Sequence, residues 1–155
     1  MYKEKVHRVE RKIKERIGSM PRYIYGKTND VADHWGTETR KYTMAYIIDK
    51  NREVALGTIS CCNEMDKPDK NMGKLYALKK MTGAISYIEG RENPNSKPVG
   101  GGKVPRFFYI AENHPDYPVQ TPNLVINGRS SKEFDRFIAS AVDMIQKELE
   151  KVFQD

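Results

Sequence analysis

The chain has 155 residues, a formal net charge of +6, 38% hydrophobic and 31% charged residues. That length suits one domain, 1–155, with a real core. No run of about 18 apolar residues exists, so no membrane partner is expected, and the charged opening MYKEKVHRVERKIKERI lacks the apolar core of a secretion signal.

The only cysteines, Cys61 and Cys62, are adjacent and make no disulfide framework. A reducing cytoplasm fits them best, the host cytoplasm if the protein is viral. The positive charge is concentrated. Residues 1–28 hold nine Lys/Arg against three acids, whereas residues 131–155 hold four against six. A basic segment of this kind meets nucleic acid or other anions, or is simply a solvated face.

Tyr2, Val6, Val9, Ile13 and Ile17 recur at helical spacing and predict a basic amphipathic helix over residues 1–18. Gly18 and Pro21 stop it. Its narrow stripe suits packing on the domain or on a partner, and both stay open. Residues 19–38 read as irregular chain, tacked down by Tyr23, Ile24, Tyr25 and Trp35. The core is expected over 39–155.

The clearest hairpin follows. Tyr42, Met44, Tyr46 and Ile48 share one face of a strand over 39–49. In 53–61, Val54 and Leu56 take one face, and Ala55, Ile59 and Cys61 take the other. Lys50, Asn51 and Arg52 form the turn. Met72, Leu75, Leu78, Met81, Ile85 and Ile88 mark a helix over about 69–89. Asp66 to Asp69 cap its start and Gly90 its end.

Residues 91–105, with Gly100–Lys103 at their heart, read as a long loop or flap. Strands are predicted over 106–112 and 123–128. A capping box from Ser130 to Glu133 then opens a helix marked by Phe134, Ile138, Ala141, Ile145, Leu149 and Val152. The order favours the α+β class. The expected fold is a small antiparallel sheet of two hairpin-like strand pairs, packed with a central helix, flanked by N- and C-terminal amphipathic helices, the helices on one face.

Binding chemistry is easier to find than catalysis. A helix start carries unpaired N–H groups and positive partial charge, so Lys70, Gly73 and Lys74 read as an anion site. On the strand after the loop, alternation sets Arg106, Phe108 and Ile110 on one face, a stacking platform beside a phosphate contact or a two-sided core. Asn123 and Arg129 bracket the next strand with amide and guanidinium donors. His34 near Asp30 and Asp33 reads as a metal cluster or, more simply, as a surface cluster on a loop. No metal, cofactor or catalytic residue is assigned.

Gly57, Cys61, Asp66, Lys70, Gly73, Ala77 and Leu78, a strand feeding a helix, form a pattern that resembles one in phage-encoded anti-defence "sponge" proteins. Those proteins counter Thoeris immunity by sequestering cyclic ADP-ribose-type signals. The resemblance covers about a quarter of the chain and leaves out both terminal helices. It implies a non-enzymatic homodimer or higher oligomer that buries a phosphorylated nucleotide, with Lys70, Gly73 and Lys74 near phosphate. Arg106, Phe108, Asn123 and Arg129 are chosen on chemistry alone. The leading expectation is therefore sequestration of a cyclic nucleotide or cyclic ADP-ribose derivative. The alternative is a nucleic-acid-binding accessory protein that uses the basic N-terminal helix and the aromatic strand.

Overall fold

The computed structural model describes residues 2–33, 36–63, 70–92, 108–111 and 132–153. Seven elements appear in the order α1 (Tyr2–Ile17), β1 (Arg22–Asp33), β2 (Gly36–Asp49), β3 (Val54–Asn63), α2 (Lys70–Glu92), β4 (Phe108–Ala111) and α3 (Lys132–Phe153). The four strands form one antiparallel sheet in the order β1-β2-β3-β4. The α+β class and the three helices agree with the sequence.

Two features differ from expectation. Residues 22–33 are a strand and not irregular chain. Tyr23 pairs with Ala45 and Tyr25 with Thr43 along a register that shifts only between Thr28 and Val31. The helices also cover both faces of the sheet and not one. On one face Met44, Tyr46, Ala55, Ile59 and Ile110 pack against Ile138, Ala141, Ile145 and Leu149 of α3. On the other, Ala45, Ile47, Val54 and Leu56 pack against Val6, Ile13 and Ile17 of α1 and Leu75, Leu78, Met81 and Ile85 of α2. A sheet apolar on both sides needs two covers, and the result is three layers.

Local chemistry explains the element ends. Gly18 sits at φ 91°, and its N–H donates to the Lys14 carbonyl at 2.7 Å, which closes α1 as its sequence predicts. The β2–β3 turn is organised by the buried Asp49 carboxylate. It accepts from the Asn51 and Arg52 backbone N–H groups at 3.1 and 3.2 Å, and from the Arg52 guanidinium at 2.6 Å. Helix α2 runs through Gly90 to Glu92, so Gly90 is not its cap. The predicted cap at Asp66–Asp69, the strand over 123–128 and the start of the Ser130–Glu133 box lie outside the described residues.

Helix α2 lies close on the sheet because small residues face it. A Cβ on Gly73 would sit 2.6 Å from Thr43 Oγ1. The Ser60 hydroxyl donates to the Gly73 carbonyl at 2.8 Å, and Thr58 donates to the Ala77 carbonyl at 2.6 Å. The Ser60 and Thr58 hydroxyls therefore both have acceptors in this seam. Gly73, Ala77 and Leu78 thus have a packing reason to be where they are.

Candidate functional site

The site begins with alternation along β1. Successive side chains of a strand point to opposite faces. Tyr25 is paired with Thr43, which touches α2 at Gly73, so Tyr23 and Tyr25 both rise on the side of α1 and α2. The first turns of α2 cross above them. Lys70 Nζ lies 5.1 Å from the Tyr25 ring centroid, and Lys74 Nζ lies 4.8 Å from that of Tyr23. An ammonium over a tyrosine face is attracted by the ring quadrupole, by about 0.5–1 kcal/mol where solvent is near.

Tyr23 also ties in the third element. Its hydroxyl donates to Glu10 Oε2 at 2.8 Å, and Glu10 is only 8% exposed. His7 Nδ1 lies 3.2 Å from the other carboxylate oxygen. Helix α1, strand β1 and helix α2 are thereby joined at one point. Burial pushes the Tyr23 hydroxyl well above its usual 10.0, and the Glu10 carboxylate adds to the rise. Burial and Glu148 raise Tyr46 on the other face in the same direction.

The sign follows from proton counting. Above pH about 10 the unfolded chain loses these protons while the folded chain keeps them. Their contribution is complete below the ordinary tyrosine value and is lost as pH rises beyond it. Tyr23→Phe is expected to cost about 1 kcal/mol at neutral pH through the lost hydrogen bond. It should also make stability fall less steeply above pH about 10. Chemical denaturation across the alkaline range measures both, and an unchanged alkaline slope contradicts the assignment.

Of the residues predicted from sequence, Lys70, Gly73 and Lys74 come together at the β1 edge. Lys70 is exposed, Lys74 is half-buried over Tyr23, and Gly73 faces Thr43. Phe108 opens β4, where its backbone pairs with Gly57 at the opposite edge of the sheet. Three strand spacings, about 14 Å, separate those edges. Arg106, Asn123, Arg129 and the Gly100–Lys103 flap lie outside the described residues, as do the side chains of Asp30, Asp33 and His34. Tyr23 and Tyr25 were legible as aromatics at i and i+2, but the polar run that follows them hides the strand.

Among the described residues no group of three or more His, Cys, Asp or Glu is placed to hold a metal, and no helix is long and apolar enough to cross a membrane. A cavity of about 10 Å³ between Ile17, Ile47, Leu56, Ile85 and Ile88 has room for little more than one water and takes no nucleotide. On the α3 face, Glu148 accepts from Arg22 and from the Tyr46 hydroxyl. That cluster joins β1 and β2 to α3 and is a structural tie.

The lysine–tyrosine surface lies beside a strongly basic helix. α1 carries seven Lys/Arg against three Glu, and α2 carries five against two. α3, on the other face, carries four against five. Among the described residues, the helices on the two sides of the sheet therefore differ in net charge. Comparison with protein-family models, curated proteins and solved structures finds no match for this chain. The resemblance to the sponge proteins rests on its residues alone.

Proposed function

We propose that this protein is a non-enzymatic nucleic-acid-binding protein whose α1/α2 face lies along the phosphate backbone. The observation that carries the reading is the division of charge between the two faces. Basic residues are in excess on α1 and α2, and acids slightly outnumber them on α3. A face of this kind attracts a polyanion and releases its counterions. The surface is built from exposed helix flanks and an edge strand, which suits an extended chain of phosphates better than a single small ligand.

Fluorescence anisotropy with labelled oligonucleotides of about 20 residues, at about 50 and 200 mM salt, tests this directly. The expected result is binding at the lower salt with a log–log slope of about −3 or steeper, the release that goes with about four phosphates. Absence of binding to single- and double-stranded DNA and RNA at low salt overturns it.

A second reading has one observation in its favour. Lys70 and Lys74 each pair with a tyrosine ring, and a ring beside an ammonium is what a phosphorylated nucleotide needs. On this reading the protein is a phage-type immune-evasion protein that sequesters a cyclic nucleotide or cyclic ADP-ribose derivative, as a homodimer or higher oligomer. Thermal shift against a panel of such nucleotides, followed by recovery of the intact ligand, separates it from the first. A shift with one member and no oligonucleotide binding favours sequestration.

A further inference from the structure

We infer that the nucleic acid this face takes is single-stranded, with bases stacking on Tyr25 and Tyr76. The inference rests on the nucleic-acid reading above, but a different observation carries it. Among the described residues the exposed aromatic rings are Tyr2, Tyr25 and Tyr76, at 36%, 46% and 50% exposure. All three stand on the α1/α2 side of the sheet. Tyr2 belongs to α1, Tyr76 to α2, and Tyr25 to the β1 face that α2 overlies. Among the described residues of α3 the large exposed apolar side chains are Met144 and Val152, and neither is a ring.

Each of these rings has a lysine beside it. Lys5 Nζ lies 6.0 Å from the Tyr2 centroid, Lys70 Nζ 5.1 Å from Tyr25, and Lys79 Nζ 6.0 Å from Tyr76. A single exposed ring is ordinary on a protein surface, but here each of the three exposed rings has a cation within about 6 Å of its centroid. Together they supply the two contacts of a nucleotide: a flat apolar surface for the base and a cation for the adjoining phosphate. In a duplex the base faces are covered by their neighbours, so rings of this kind are useful only to an unstacked strand. Phosphate contacts alone would favour the duplex, where each neutralised phosphate releases more counterion.

Stacking is sequence-tolerant because every base has a π-face. The rings therefore predict selection for strandedness and not for sequence, and no discrimination between ribose and deoxyribose. Tyr25 and Tyr76 are the two to test because they are the more exposed and lie on different elements. Leucine at each keeps apolar area and removes the ring, whereas phenylalanine keeps the ring and removes the hydroxyl.

The experiment compares Tyr25→Leu/Tyr76→Leu with Tyr25→Phe/Tyr76→Phe and the unaltered chain. Each binds labelled oligo-dT, oligo-U and a mixed-sequence duplex of about 12 residues, and thermal melting confirms that all three are folded. The leucine pair is expected to lose about 30-fold in affinity for both single strands. It should lose less than about 2-fold for the duplex, and the phenylalanine pair should stay within about 3-fold on every probe. Unchanged single-strand affinity in the leucine pair, or an equal loss on the duplex, overturns the inference while the nucleic-acid reading stands. Failure of the unaltered chain to bind any probe overturns both.

Discussion

Gly26→Val is expected to lower stability by about 3 kcal/mol, seen as a fall of about 6–12 °C in the melting temperature. Gly26 lies in β1 opposite Tyr42, on the side that α3 covers. The Phe137 ring of α3 rests directly on it. A Cβ at Gly26 would stand 2.6 Å from Phe137 Cδ2 and 2.8 Å from Cζ, well inside contact distance. The ring is partly buried and stacks on buried Tyr42, with centroids 5.9 Å apart and planes at 23°, so moving it gives up that contact. Valine must therefore push α3 off the β1 edge or force Phe137 from its rotamer. Phe137→Ala removes the obstacle. In that background Gly26→Val should cost at least 1 kcal/mol less than it does alone, and a double-mutant cycle measures the difference. A cost below about 0.5 kcal/mol for Gly26→Val alone would mean that the ring does not sit where it is described.

The second large effect concerns binding. Replacing Arg8, Arg11, Lys12 and Lys70 by glutamine removes four exposed cations from the α1/α2 face. Each phosphate contact contributes about 0.7 to 0.9 to the salt slope, so the slope should fall by about 3. Affinity at about 50 mM salt should drop by two orders of magnitude or more. The control is Arg136→Gln, Lys147→Gln and Lys151→Gln on α3, all exposed on the opposite face. That set should leave slope and affinity nearly unchanged. Surface exchanges of this kind alter stability by about 0.5 kcal/mol or less, so both sets should melt close to the unaltered chain. Equal losses from the two sets would mean that charge acts without regard to face.

The periodic elements were legible in the sequence. Val6, Ile13 and Ile17 of α1, Leu75, Leu78, Met81 and Ile85 of α2, and Ile138, Ala141, Ile145 and Leu149 of α3 are buried as their spacing predicts. The 39–61 hairpin pairs in the register that its alternation implies, with Tyr42 opposite Cys61 and Met44 opposite Ile59. Strand β1 was hidden because it is an edge. Beyond Tyr25 it reads GKTNDVAD, polar residues that an edge strand tolerates and a central one does not. The third layer has its sign in β3. β3 has Val54 and Leu56 on one face and Ala55 and Ile59 on the other, which is the pattern of a sheet buried on both sides.

The candidate site was half legible. Lys70, Gly73 and Lys74 stand out as a basic helix start, but what they meet depends on β1. Sequence alone could not bring Tyr23 and Tyr25 beneath α2, nor Glu10 beneath the Tyr23 hydroxyl, since those pairs are far apart along the chain. Gly73 shows how a motif reading and a packing reading diverge. Its lack of a side chain lets α2 approach Thr43, whatever else the helix start does.

Lysine footprinting asks where on the molecule the polyanion lies. The protein is acetylated with and without saturating single-stranded oligonucleotide, and each modified lysine is quantified by mass spectrometry. Lys3, Lys5, Lys70 and Lys79 should be shielded by the oligonucleotide, while Lys147 and Lys151 on α3 should react as before. Shielding confined to α3, or none at any lysine while the oligonucleotide is bound, contradicts an interface built on α1, α2 and the β1 edge.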